Sequence, residues 1–227
     1  MKKNYLLSLL CIVTSFVHAL SIAELQQLTR LPPHEIQKAL EFIAGVQYLC
    51  DTNCPYQHVL PRIINTLNLK VGCEIGVAAG THCKSILETT HVTKLYGIDP
   101  YFDYPDPTNV AMNQKWFDIY YYKVKDRLSP FGKRFELIRD FSVKAVNRFK
   151  DNELDFVFID ANHVYEFVLQ DIDIWYKKVR QGGIISGDDY ATVHPGVPRA
   201  VNDFFGKLGL KVNTDYQHPR VWWVQKP

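Results

Sequence analysis

Three carboxylates stand where two apolar runs end. Leu154 to Ile159 is followed at once by Asp160, and Ile184-Ile185-Ser186-Gly187 by Asp188 and Asp189. The first run reads as an apolar strand, central in its sheet and buried on both faces. The second run reads as the start of the next strand. In an open α/β sheet, the residues just past the carboxyl ends of neighbouring strands meet in one crevice. Three acids brought together there repel one another, and burial raises the cost. A divalent cation removes that repulsion, and an all-oxygen ligand set selects a hard ion: Mg²⁺ first, with Mn²⁺ or Ca²⁺ as alternatives. A plainer reading of Asp188 and Asp189 is a loop pair that caps the following helix or faces water. His163 could take a proton beside these acids. Its plainer role is a first-turn helix residue bonded to a backbone group.

A second constellation lies earlier. Val71 to Thr81 reads V-G-C-E-I-G-V-A-A-G-T, an apolar run carrying Glu74, then Gly76 and Gly80, then a helical stretch. That is strand, tight turn and helix, the first turn of a doubly wound domain. Glycine suits the turn because the backbone there takes positive φ or lies against a ligand. A second strand, Lys94 to Ile98, ends in Asp99, 25 residues after Glu74, where an acid would hold a ribose diol. Val77 to Ala79 break the G-x-G-x-x-G pattern of a dinucleotide site. An acid ahead of the first glycine suits a cationic ligand better than a diphosphate.

On these residues the chain resembles the class I S-adenosylmethionine (SAM) methyltransferases, whose first motif is E-x-G-x-G-x-G. Glu74, Gly76 and Gly80 match, and Ala78 replaces the middle glycine. The runs D-F-V-F-I-D-A-N-H-V-Y-E-F-V, D-I-D-I-W, G-G-I-I-S-G-D-D-Y and H-P-G-V-P-R-A-V resemble one branch of that family. It holds the metal-dependent O-methyltransferases of small molecules, catechol O-methyltransferase-like and antibiotic-sugar types. The resemblance implies a SAM site at Glu74, Gly76, Gly80 and Asp99, with Asp140 toward the adenine amino group. It implies a metal site, Mg²⁺ or another divalent cation, at Asp160, Asp188 and Asp189. Sugar-modifying members place a basic Asp two residues after the first metal ligand. Here that position is Asn162, which leaves His163 as the catalytic proton acceptor beside Asp160. Asp140 has a plainer reading as a turn acid, with Ser142 competing for the cap of the next helix. His194 reads as structural, in the H-P-G turn before a helix. The implied reaction is methyl transfer to a small hydroxylated acceptor. The rival readings are a catalytically silent ligand-binding or interaction protein on the same fold, and a metal-dependent enzyme with other chemistry.

The elements that must position these groups alternate strand and helix, which predicts a Rossmann-like, doubly wound α/β fold. Its sheet is mainly parallel, with an antiparallel pair at Lys211 to Asn213 and Val221 to Val224. Helices are expected over 109–128, 142–150, 165–180 and 195–208, with Gly182-Gly183 ending the third of these. The aromatic stripe Trp116, Phe117, Tyr120, Tyr121 and Tyr122 reads as core. The chain divides into three segments: 1–19 as a leader, 20–69 as an N-terminal helical cap, and 70–227 as the α/β domain. The cap covers the sheet or a partner, and pairing of two copies through it is the expected oligomer.

The 227 residues are 47% hydrophobic and 22% charged, ordinary for a globular chain. A formal charge of +2 and a pI of about 8.2 give no basic field for nucleic acid. Lys2-Lys3, the apolar run Tyr5 to Val17 and Val17-His18-Ala19 have the pattern of a signal peptide, or of an uncleaved anchor. Cleavage after Ala19 leaves no membrane span and brings the formal charge to 0. The mature chain is then exported, and without cleavage it stays cytoplasmic or membrane-anchored. Cys73 and Cys83 read as small buried hydrophobes. Cys50 and Cys54 suit either a short-loop disulfide or two free thiols.

Overall fold

The computed structural model describes residues 20–53, 58–104 and 113–227, the side chains of 46–53 excepted. The expected leader, the Cys50 and Cys54 side chains and residues 105–112, with the first residues of the helix expected over 109–128, fall outside that set. Among the described residues no helix is long and apolar enough to cross a membrane.

Among the described residues three helices come first: α1 (Ile22–Thr29), α2 (Pro33–Asn53) and α3 (Val59–Leu67). Then come β1 (Val71–Ile75), α4 (Thr81–Thr89), β2 (Lys94–Ile98), α5 (Gln114–Leu128) and β3 (Phe135–Ile138). The chain continues through α6 (Ser142–Ala145), β4 (Leu154–Ile159), α7 (Tyr165–Tyr176), β5 (Val179–Gly187) and α8 (Gly196–Lys207). It ends with the pair β6 (Asn213–Thr214) and β7 (Trp222–Gln225). The seven strands lie in the order β3-β2-β1-β4-β5-β7-β6. Strands β1 to β5 are parallel, while β7 pairs antiparallel with both β5 and β6. The order reverses between β1 and β4, so those two strands diverge into helices on opposite faces and leave a crevice at their carboxyl ends.

The pleat sorts the core. On one face Phe156 and Phe158 of β4 pack with Leu25, Ile36, Leu60, Ile64, Ile86 and Tyr120. On the other, Cys73, Ile75, Val157 and Ile159 pack with Val168, Ile172, Trp175, Val201 and Phe205. The N-terminal helices therefore share one core with the sheet. They are held locally as well: Ser21 and Glu24 form a reciprocal capping box on α1. Tyr120 of the aromatic stripe is buried and its neighbours pack partly buried against the same core, as its spacing leads one to expect.

Four boundaries differ from expectation by more than a residue or two, each for a local reason. Helix α5 begins at Gln114, where the Asn113 side chain accepts from Trp116 N at 3.1 Å. Helix α6 stops after one turn and tightens into a 3₁₀ turn over Val146–Arg148, which drops Phe149 into the core beside Tyr96 and Trp175. Helix α7 ends at Tyr176, and Gly182-Gly183 lies within β5 instead of ending the helix. There the β4–β5 register jumps from Leu154↔Val179 to Phe156↔Ile184. Asp155 faces that bulge, so β4 is not apolar throughout. Its carboxylate accepts from Lys70 N at 2.6 Å, Val71 N at 2.8 Å and Arg180 Nε at 2.6 Å.

This packing can be tested at two positions. Gly76 has φ +89°, and a Cβ there would overlap the Asp160 carbonyl group. Gly76→Ala should cost about 2–4 kcal/mol, combining left-handed strain with overpacking. Urea unfolding measures it, and a loss below ~1 kcal/mol would show that β1 and β4 can part freely.

The second position is Asp171, which receives the Ser142 hydroxyl and whose carboxyl burial pushes up to about 6. A folded pKa above the unfolded one favours the neutral acid. Its stabilising effect is complete below the unfolded pKa and lost as pH rises through about 6. Asp171→Asn should therefore gain up to ~3 kcal/mol at pH 7 relative to pH 4. Parallel pH profiles for the two proteins would remove the effect.

Candidate active site

The crevice is built from the turns after β1, β2, β4 and β5. On the β1 side the Gly76–Gly80 turn takes positive φ at Gly76, Ala78 and Gly80. Ala78, with φ +44°, holds a left-handed conformation where the resembled motif has glycine. The turn is held from three directions. Gly80 N donates to Val77 O at 2.7 Å, Arg127 of α5 donates to Ala79 O at 3.1 Å, and the Tyr101 hydroxyl donates to Ala78 O at 2.8 Å.

Asp99 is the organising acid of this half. Its Oδ2 accepts from Val77 N and Ala78 N, each at 3.0 Å, and its Oδ1 accepts from Tyr101 N at 2.9 Å. Burial pushes this carboxyl up, against the three N–H groups that favour its charge. The structure thus brings Asp99 to the glycine turn, as expected, and fixes the carboxylate before any ligand arrives. Glu74 lies differently. The pleat turns it toward α4, where it is 2% exposed, accepts from Cys83 Sγ at 2.9 Å and lies 3.4 Å from His82 Nδ1. Burial first, then the Glu74 charge, pushes the Cys83 thiol well up, so it stays a donor. Glu74 is a buried support beneath the turn. Asp140 comes just after β3 and its Oδ1 accepts from Phe141 N at 2.8 Å. Ser142 does not cap α6, since its hydroxyl goes to Asp171.

On the β4–β5 side the three acids converge. One carboxylate oxygen from each of Asp160, Asp188 and Asp189 lies within 4.8 Å of the others. Asp160 is set by its N–H, which donates to Ile75 O at 2.8 Å across the central strand pair. Asp188 and Asp189 are 3% and 5% exposed, which excludes a solvated loop pair. Burial and then the Asp189 charge push the Asp188 carboxyl up. For Asp189, burial also works upward. The hydrogen bond and charge of His163, with Arg220 and His194, outweigh it and hold this carboxyl low. His163 Nε2 is 2.7 Å from Asp189 Oδ2. Its ring stacks on His194 at 4.2 Å, and His194 Nε2 lies 3.8 Å from Asp189 Oδ1. The expected proton acceptor is therefore at the acids, with one nitrogen engaged. Asn162 accepts from Val164 N at 2.8 Å and shapes the start of α7.

Two side chains join the site that the sequence pattern alone does not place there. Arg220 reaches both Asp188, at 3.3 Å, and Asp189. The antiparallel pair β5–β7 holds the signal for it, because matching Gly187 with Trp222 returns residue 220 to the acid end of β5. His194, expected to be structural, stacks on His163. A divalent cation fits the residues present. Three acids meet one guanidinium, and Asp188 Oδ1 is buried with no hydrogen-bond partner. Asp160, Asp188 and Asp189 would hold the ion.

Comparison with known proteins agrees with this geometry. A family model described as a methyltransferase domain matches residues 71–190, more than half of the chain and all of the crevice except Arg220 and His194. An uncharacterised protein of Acanthamoeba polyphaga mimivirus is 30% identical over 153 residues, and the match spans 64% of each chain. Among solved structures, the O-methyltransferase from Bacillus cereus in complex with SAH superposes with a TM-score of 0.57 at 13% identity, covering 89% of this chain and 95% of that one. A putative caffeoyl-CoA O-methyltransferase from Staphylococcus aureus gives 0.57 at 16%, covering 82% and 92%. These likenesses show a shared fold. With its Glu74–Gly80 turn, its β1–β4 switch point and a family match running from β1 to the acid pair, the chain belongs to the class I SAM-dependent methyltransferase family.

Proposed function

We propose that the protein transfers the methyl group of SAM to a hydroxyl oxygen of a small molecule, with a divalent cation at Asp160, Asp188 and Asp189. The observation that carries this reading is the adjacency of two half-sites. Gly76 packs on the backbone of Asp160, so the cofactor turn and the acid triad share a wall. Asp99 would bind the ribose hydroxyls with the lone pairs left by its three N–H partners. Asp140 would lie toward the adenine. The turn would set the sulfonium on the β1 side, facing an acceptor held over the acids.

In the transfer, the acceptor oxygen attacks the methyl carbon in line and the carbon–sulfur bond breaks. The products are a methyl ether, S-adenosylhomocysteine and one proton. His163 takes that proton, and the Asp189 carboxylate 2.7 Å from its Nε2 stabilises the imidazolium that forms. The cation, when bound, supplies Lewis acidity that lowers the pKa of the hydroxyl. The chain's own contribution is placement, which converts a bimolecular attack into a local one.

Titration calorimetry of the full chain with SAM tests the cofactor half. Asp99→Ala should weaken binding by at least ~1.5 kcal/mol, the scale of a hydrogen bond to a charged group. Unchanged affinity would remove the ribose role, and absence of SAM binding by the unaltered chain would favour the silent-protein reading. The cation half is tested by chelation. EDTA should abolish methyl transfer and added Mg²⁺ restore it, while Asp188→Asn should lower the rate at least ~10-fold, in the range for lost ligand-shell groups. Full activity in EDTA and in Asp188→Asn would make these acids structural.

A further inference from the structure

We infer that His163, Asp189 and His194 form a second cation site, distinct in chemistry from the carboxylate triad and selective for a borderline ion such as Zn²⁺. Two imidazoles and one carboxylate, from three separate segments, offer ligand atoms that all lie within 4.8 Å of one another. His163 comes from the turn after β4, Asp189 from the end of β5, and His194 from the turn before α8. The two rings stack at 4.2 Å with 29° between their planes, so both Nε2 atoms face the same carboxylate.

The segments are fixed before any ion arrives. Gly196 lies against the His163 carbonyl, where a Cβ would overlap it. His194 N donates to Ala191 O at 3.2 Å, and Ala191 N donates to Asp189 O at 2.6 Å. Asp189 itself has φ +57°, a left-handed conformation that an aspartate tolerates and that turns its carboxylate toward the imidazoles. The side chains are 21%, 7% and 31% exposed, so the cluster is partly dry yet open on the His194 side for an ion to enter.

The donor set decides the ion. Imidazole nitrogen suits Zn²⁺, and three protein donors with one open position are the usual arrangement of a non-structural zinc site. Mg²⁺ demands oxygen and dehydrates reluctantly, so it stays with Asp160, Asp188 and Asp189. The two sites share Asp189. The Oδ2 atom beside His163 is available to the second ion while Oδ1 stays with Arg220. The site stands on geometry alone and does not need the methyltransferase reading. Its consequence does rest on that reading: an ion on His163 Nε2 occupies the proton acceptor, so Zn²⁺ inhibits turnover supported by Mg²⁺.

The test is Co²⁺ and Zn²⁺ binding to the full chain without SAM or acceptor. Visible absorption of bound Co²⁺ reports nitrogen–oxygen ligation, and thiolate charge-transfer bands expose any ion held by cysteines. One Zn²⁺ or Co²⁺ should bind per chain. His194→Ala and the more conservative His194→Gln should each weaken it at least about tenfold, with circular dichroism unchanged, while Asp160→Asn should leave it intact. Zn²⁺ affinity insensitive to both His194 variants, lost in Asp160→Asn, or accompanied by thiolate bands would overturn the site. If SAM fails to bind but Co²⁺ binds as described, the cation site stands and the methyltransferase reading falls.

Discussion

The close approach of β1 and β4 governs the rest of the molecule. Gly76 can lie on the backbone of Asp160 only because it has no side chain, and its positive φ turns the chain away at that point. The two strands then send α4 and α7 to opposite faces. The space between them is the crevice, and its walls are the glycine turn on one side and Asp160 on the other. A bulkier residue would close that space and misplace both half-sites together. The glycine turn and the acid triad are thus one construction with a single point of origin.

Buried and half-buried acids are costly, and the chain answers that cost differently at each position. Asp99 is surrounded by backbone N–H groups, Glu74 by a thiol and an imidazole, and Asp155 by two N–H groups and Arg180. Asp189 gathers three side-chain bases. Asp188 keeps a buried oxygen without a partner, and Asp171 moves toward the neutral form. Supported acids shape the backbone around them. The incompletely supported Asp188 sits where chemistry is expected, in keeping with the tendency of perturbed carboxylates to mark functional sites.

Much of this architecture is legible in the sequence because it depends on short-range pattern. The apolar runs, the glycine spacing and the acids at the strand ends are local, and β1, β2 and β4 fall at the expected residues. Expectation and structure part where a distant partner decides. Gly182-Gly183 looks like a helix stop, but pairing with β4 draws Val179 into β5 and turns the glycines into a bulge. Glu74 reads as a ligand acid, and its Cys83 and His82 neighbours on α4 come from the pleat, which the motif alone does not show. His194 has no helical or strand period of its own, so only the stacking on His163 gives it a role. Arg220 lies 31 residues beyond Asp189 and could be assigned only through the register of an antiparallel pair.

Strand β7 enters the sheet beside β5, inside β6, and carries the fully buried Trp222 just after Arg220. This order has a consequence for synthesis. A chain emerging from the ribosome can lay down β1 to β5 and bring the three acids together while their guanidinium is still unmade. Domains close as units during synthesis. Here β7 seals the apolar floor with Trp222 and delivers the missing positive charge in the same step. The crevice of a nascent chain therefore stays electrostatically unfinished until the β6–β7 hairpin has docked.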